Sequence, residues 1–302
     1  MNKKVSVVLP VFNGSKRVSK AIESVLEQSY ANLELIIVDD CSTDNTMDVL
    51  RSYANKDARI KIYENKVNQK LPRTLNNGFS HATGDYLTWT SDDNTYKSNA
   101  IEKMVQYLDE HPNIDMVYAD FDIVDLDGTF RETRRLYEPD ELRFRNVVGA
   151  CFLYTKKLAV KVGEYDPDLF LAEDYEYWIK AYFKGNLRHM QEVLYNYGLH
   201  DDSLSVKKAK QVYHKTFEVK EKHFEELIDR CKTQKDRNRF YWDMLKLLLD
   251  ENEKESKRKI YYQYDKNFMK QDKRRLFYKN IRDGIRGGVH ILKNKLTDVM
   301  GK

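Results

Sequence analysis

A chain of 302 residues with 52 Lys/Arg against 48 Asp/Glu, net +4, can bury a full core as one large domain or as a domain with an appendage. No apolar run approaches the ~20 residues that span a bilayer, and the valine-rich stretch after Lys4 is cut off by Pro10 too early for a secretory leader, so the expected location is the cytosol. The cysteines Cys41, Cys151 and Cys231 are scattered and odd in number, which argues against a disulfide framework or a zinc site and fits reduced thiols.

In chain order, the β-branched run 5–9 predicts a first strand closed by Pro10. Val18, Ile22, Val25 and Leu26 recur at helical spacing. Residues 33–38 read as a second buried strand ending in Asp39 and Asp40, and Ser42, Thr43 or Asp44 would cap the helix that follows. A third strand at 60–63, a helix over 71–82, a fourth strand at 86–90 and a helical stripe at 101–108 continue the alternation of an α/β domain. In such a sheet, ligands bind beyond the carboxyl ends of the strands, so 10–13, 39–42 and 91–94 should converge on one crevice. Next, 116–124 and 129–134 flank an Asp-Gly turn as a hairpin. A strand at 149–154, a short helix at 156–162, an aromatic-rich helix at 172–183 and one or two strands at 187–196 complete the compact part.

From 207 onward the pattern is long, charged and helical, with Phe217, Phe224, Leu227, Trp242, Leu245, Leu248 and Leu249 at core-facing spacing. Residues 206–302 hold 27 Lys/Arg and 15 Asp/Glu, whereas the preceding part is acidic. The domains are therefore expected at 1–205, an α/β unit, and 206–302, a basic and mainly helical region. Ile281, Ile285, Val289, Leu292 and Leu296 share one face of an amphipathic basic helix. That face suits either an anionic membrane surface, which would make the protein peripheral at the inner face of the cell membrane, or packing on protein. Tyr261, Tyr262 and Tyr264 are no better spaced for base stacking than for packing, and no nucleic-acid partner is expected. A homo-oligomer stays open.

Asp92 and Asp93 directly follow the apolar run 86–89. Paired acids at the end of a buried strand suit Mg2+ or Mn2+, which take a few protein oxygens and fill the rest of their shell from water and phosphate. A cap for the helix that starts near Ser98 is the alternative. Glu173 and Asp174 open the aromatic helix, either as charges complementing its dipole or as a general base whose pKa burial and like charge raise. His200 is a loop histidine or a ligand completing a manganese shell. The patterns Asp125/Asp127 and Asp166/Asp168 look similar, but a Gly turn and Pro167 explain them.

Taken together, the stretch Ser6 to Asn13, the run Ser24 to Tyr30, the Val38-Asp39-Asp40-x-Ser42-Thr43-Asp44-x-Thr46 pattern, Ala82 to Tyr86, Ser91-Asp92-Asp93, Glu173-Asp174 and His200 resemble family 2 glycosyltransferases of the GT-A fold, from Val5 to about Ser205. The resemblance implies a Rossmann-like mixed sheet flanked by helices, here with a C-terminal helical extension. It also implies an enzyme that uses a nucleotide-sugar donor, UDP-linked by expectation, and a saccharide, glycan or glycolipid acceptor. Carried over by position, Pro10, Phe12 and Asn13 form the first nucleotide loop, Asp40 binds the base or ribose, and Arg73 borders the nucleotide. Asp92 contacts ribose or diphosphate, Asp93 and His200 bind the Mn2+ or Mg2+, and Asp174, with Glu173 beside it, is the base of an inverting displacement.

Two departures qualify this picture. Thr90 stands where many members carry a further acid, and no Gln-x-x-Arg-Trp follows Asp174, so one sugar per encounter is expected, in surface polysaccharide assembly. A sugar-phosphate nucleotidyltransferase would require a Gly-rich phosphate loop, for which residues 13–17 are a poor substitute. A non-catalytic scaffold acting through the basic tail would have no need of Asp92, Asp93 and Asp174 together.

Overall fold

The computed structural model describes residues 3–200, 203 and 207–276. The chain divides into two compact units at His223/Phe224. The first holds the sheet. β1 (Val5–Val11) and β2 (Leu33–Asp39) are buried at every position, as parallel strands covered on both faces must be. β3 (Ile60–Glu64), β4 (Tyr86–Trp89), β5 (Thr95–Tyr96), β6 (Met116–Val124), β7 (Phe130–Arg134), β8 (Phe152–Thr155) and β9 (Leu187–Gly198) complete the nine strands among the described residues, in the order β3-β2-β1-β4-β8-β6-β9-β5, with β7 on β6. β1 pairs parallel with β2 and β4, β8 is antiparallel to both β4 and β6, and β9 returns parallel to β6. The sheet is mixed and flanked by helices, as the GT-A resemblance implies.

Helices α1 (Val18–Leu26), α2 (Thr46–Ala54) and α4 (Ala100–Glu110) bury Ile22, Leu50 and Met104 in one cluster with the odd-numbered residues of β1. On the other face lies α3 (Lys70–Ser80), whose Gly78 leaves no room for a Cβ against Val8. Beyond the short helix α5 (Lys156–Val162), α6 (Glu173–Lys184) seats Trp178 on Phe152 with ring centroids 4.5 Å apart. Three elements had no periodic signal: β5 and the 3-10 turns Pro139–Arg143 and Pro167–Leu169, all too short to express one. The strand expected at 149–154 begins only at Phe152, because Gly149 is left-handed (φ 65°).

The charge shift at 205 and the physical division at 223/224 do not coincide. Helix α7 (Ala209–Lys222) is anchored within the first unit: Lys220 is fully buried and its Nζ donates to the Phe144 carbonyl at 2.9 Å. Lys222 meets Asp166 at 2.7 Å and Glu176 at 3.0 Å. From Phe224 onward, α8 (Phe224–Asp229), α9 (Gln234–Leu247), α10 (Glu251–Tyr264) and a helical stretch over 266–276 form a separate aromatic core. In it Tyr241 lies 4.6 Å from Phe268, and Asp272 accepts from Trp242, Arg258 and Tyr262. Tyr261 is buried, so packing accounts for it, and Leu249, expected to face the core, is 61% exposed. The amphipathic face at 281–296 lies outside the described residues. No helix among those described is long and apolar enough to cross a membrane.

Burial alone would raise the pKa of Glu176, but His223, Lys180 and Lys222 hold it down at about 2 against an ordinary 4.5. A depressed carboxyl contributes stability that is complete above its unfolded pKa and lost as pH falls through the folded one. Glu176→Ala should therefore destabilise the first unit by roughly 3 kcal/mol at neutral pH, and the deficit relative to wild type should shrink between pH 4.5 and 2. Denaturant titrations at two pH values measure this; a deficit that does not change with pH would contradict the assignment.

Candidate functional site

Parallel pairing of β1 with β2 and β4 brings three strand ends together. Asn13, just past β1, sits at φ 51°. Its N–H donates to Ser42 Oγ at 2.9 Å and its Oδ1 accepts from Thr43 N–H at 2.8 Å. Pro10 is buried in β1, while Phe12 is 47% exposed at the loop's edge. The N-cap of α2 is Asn45, without a side-chain cap bond, so none of Ser42, Thr43 and Asp44 caps the helix as expected; Asp44 instead accepts from Thr46 N–H at 3.0 Å just ahead of it. Asp39 is occupied locally by Ser42. Asp40 is buried and accepts from Asn65 Nδ2 (2.8 Å), Gln69 N–H (2.7 Å) and Lys70 N–H (3.0 Å), tying the end of β2 to the start of α3. Arg73 is exposed on α3's first turn.

The β4 end supplies the acids. Asp92 and Asp93 do not cap a helix: β5 intervenes, and the N-cap of α4 is Asn99. Asp92 Oδ2 is 3.0 Å from Arg17 Nη2. Burial raises the Asp92 pKa, Arg17 opposes the rise and the charge of Asp93 adds to it. Gly14 makes this approach possible, since a Cβ there would stand 2.4 Å from Asp92 Oδ2. Thr90 is buried and hydrogen-bonded to the Tyr195 hydroxyl, so it faces the aromatic interior between β4 and β9. Asp93 Oδ2 lies 3.0 Å from His200 Nε2, across 107 residues of sequence.

That separation bears on metal binding. The two side chains hydrogen-bond directly, at a distance close to that between two adjacent ligands of an octahedral ion with bonds of about 2.1 Å. No group of three His, Cys, Asp or Glu side chains able to hold a metal occurs among the described residues.

Glu173 and Asp174 open α6 after Leu171, which is held at φ 84°. Glu173 is 5% exposed and its Oε2 accepts the Leu171 N–H at 2.7 Å, so its carboxylate supports the strained turn. Asp174 is only partly buried. Its Oδ1 accepts from Tyr175 N–H at 2.7 Å and its Oδ2 from Asn146 Nδ2 at 2.8 Å. Burial raises both pKa values; the charge of Asp174 adds to the rise at Glu173, and the Tyr175 and Asn146 bonds restrain it at Asp174. An aromatic relay joins this helix to β4: Trp89 Nε1 donates to the Tyr165 hydroxyl at 3.0 Å, and Tyr165 stacks on Tyr177 at 4.2 Å.

Sequence reasoning passed over Arg17 and Asn146. Arg17 immediately precedes α1, but nothing local pairs it with Asp92. Asn146 lies in an irregular segment without period. All four non-glycine residues with positive φ among the described residues, Asn13, Cys41, Lys70 and Leu171, border these sites, where backbone strain tends to be stored.

The putative glycosyltransferase EpsE of Bacillus subtilis is 41% identical over 115 residues, 38% of this chain and 41% of that protein. An uncharacterized glycosyltransferase, RT0329, of Rickettsia typhi is 30% identical over 65% of this chain and 64% of its own length. The chain thus spans less than two thirds of either. The putative teichuronic acid biosynthesis glycosyltransferase TuaG of Bacillus subtilis is 28% identical over 73% of this chain and 90% of its own. Two solved structures share the fold at 17% identity: S. aureus TarS 1-349 in complex with UDP, with TM-score 0.58 over 82% of this chain and 81% of that one, and the mannosyltransferase PcManGT from Pyrobaculum calidifontis in complex with GDP-Man and Mn2+, with TM-score 0.60 over 81% and 73%. The profile of Glycosyl transferase family 2 matches residues 6–170, more than half of the chain, and with the GT-A sheet and its strand-end acids the chain belongs to that family.

Proposed function

We propose that the chain is a metal-dependent, inverting glycosyltransferase that moves one sugar from a UDP-sugar to a hydroxyl of a saccharide or glycolipid acceptor in surface polysaccharide synthesis. The observation that carries this reading is the 3.0 Å pairing of Asp93 with His200 at the end of β4. The UDP in TarS and the Mn2+ in PcManGT support the donor and metal classes, and TuaG's teichuronic acid description supports the setting.

Asp93 and His200 would hold the ion, which when bound supplies Lewis-acid neutralisation of the departing diphosphate. Pro10, Phe12 and Asn13 would line the donor's loop, Asp40 would meet the base or ribose, Asp92 the ribose or diphosphate, and Arg73 would border the nucleotide. Asp174 accepts the acceptor hydroxyl's proton as that oxygen attacks the anomeric carbon from the face opposite the leaving group. A single base then suffices for inversion. Glu173 contributes by holding the turn from which Asp174 projects. The C-terminal basic region would add contact with an anionic membrane surface.

Asp174→Asn should lower transfer by about 10²–10⁴-fold while leaving the UDP Kd unchanged in calorimetry; wild-type turnover in this variant would remove the base. Because the base must be ionised and burial raises its pKa, the acid limb of kcat/KM should lie above the ordinary aspartate range. Asp93→Ala should abolish the gain in UDP affinity that Mn2+ brings to the wild type, and His200→Ala should weaken it by roughly tenfold or more. Equal Mn2+ dependence in wild type and Asp93→Ala would count against the metal assignment. Sedimentation of the full chain with phosphatidylserine-rich vesicles at low but not high salt is expected, and its absence would end the membrane reading.

A further inference from the structure

We propose that Asn146 is the positioning residue of the base, its amide clamping the Asp174 carboxylate into one orientation toward the acceptor hydroxyl. This rests on the reading of Asp174 given above.

Four observations carry it. Asn146 is itself exposed, yet the backbone beyond it is anchored: Val147 and Val148 are 1% and 0% exposed, and Gly149 is left-handed with the Phe121 ring 2.7 Å from where a Cβ would stand. The amide has a defined sense, because Oδ1 accepts the Val148 N–H at 3.3 Å and Nδ2 is left to donate to Asp174 Oδ2 at 2.8 Å. The preceding segment is tethered to the same helix, by Tyr175 Oη donating to the Leu142 carbonyl at 2.7 Å and Tyr182 Oη to Asp140 Oδ1 at 2.6 Å. Finally, the carboxylate has no ion-pair partner among the described residues. The charged or titratable groups facing it are Glu173 on its own helix and the neutral Tyr165, so the Asn146 donor is its principal side-chain support.

A carboxylate held at both oxygens keeps one rotamer, and each oxygen retains a lone pair for the incoming hydroxyl. The same bond favours the ionised form against burial, so its loss should affect both geometry and titration.

The test uses the full chain with Mn2+ and a UDP-sugar that the wild type hydrolyses, water taking the acceptor's place. Asn146→Ala should lower kcat at neutral pH by about tenfold, the scale of one hydrogen bond to a charged group. It should also shift the acid limb of the kcat profile to higher pH and leave KM for the UDP-sugar unchanged. Asn146→Asp, which adds a like charge, should shift the limb further, and Asn146→Ser, which retains a donor, should return it toward wild type. Melting temperatures should match the wild type, because the side chain is exposed. An unmoved acid limb in both the Ala and Asp variants overturns the proposal. If Asp174→Asn is inactive while that limb stays put, only the role of Asn146 is refuted; if Asp174→Asn still turns over, the base reading itself fails.

Discussion

The site depends on one constraint, the parallel pairing of β1 with β2 on one side and β4 on the other. Parallel strands placed side by side point their carboxyl ends the same way, so the residues that leave them must share a rim. The buried runs Val5–Val11 and Leu33–Asp39 cannot slip by one residue without changing which side chains meet α1 and which meet α3. Register therefore sets which residues stand at the rim. Asn13 meets Ser42 and Thr43, Arg17 meets Asp92, and Asp40 takes up the N–H groups that open α3.

Environment, rather than residue type, sorts the acids into roles. Glu34 on β2 is buried, but Lys4 and Lys61 each approach it at 2.8 Å and hold its pKa well below the ordinary range. Glu176 is handled similarly by Lys180, Lys222 and His223. Those carboxylates are permanent charges that join elements of the first unit. Glu173 and Asp174, in contrast, are raised by burial with no ion pair among the described residues. Glu173 and Glu176 stand three positions apart on α6, yet one meets the Leu171 turn and the other α7.

The rim is also where the backbone departs from ordinary conformations. Asn13, Cys41 and Lys70 are left-handed at the ends of β1 and β2 and the start of α3, and Leu171 is left-handed before Glu173 and Asp174. Each is compensated nearby, as Leu171 is by its bond to Glu173. Such turns let a chain leave a strand or enter a helix sharply, so that short polar side chains reach ligand distance while their backbone stays tied to the sheet.

Much of this was legible in the sequence. The alternation of apolar strands and helical stripes marked β1 to β4, α1, α3, α4 and α6 because burial on one or two faces imposes its period on the residues. Asp92 and Asp93 stood out because they follow the apolar run 86–89 and lie where the strand ends were expected to converge. The sequence could not say that Asp93 meets His200, that Arg17 pairs with Asp92, that Glu173 is more deeply buried than Asp174, or that Asn146 meets Asp174. Each of these joins positions remote in the chain through a loop or sheet crossing that has no period. The charge shift at 205 likewise described composition, whereas the compact units divide at 223/224, beyond Lys220 and Lys222, whose partners lie in the first unit. Periodicity records which face of an element is buried, and only the assembled sheet determines what that face meets.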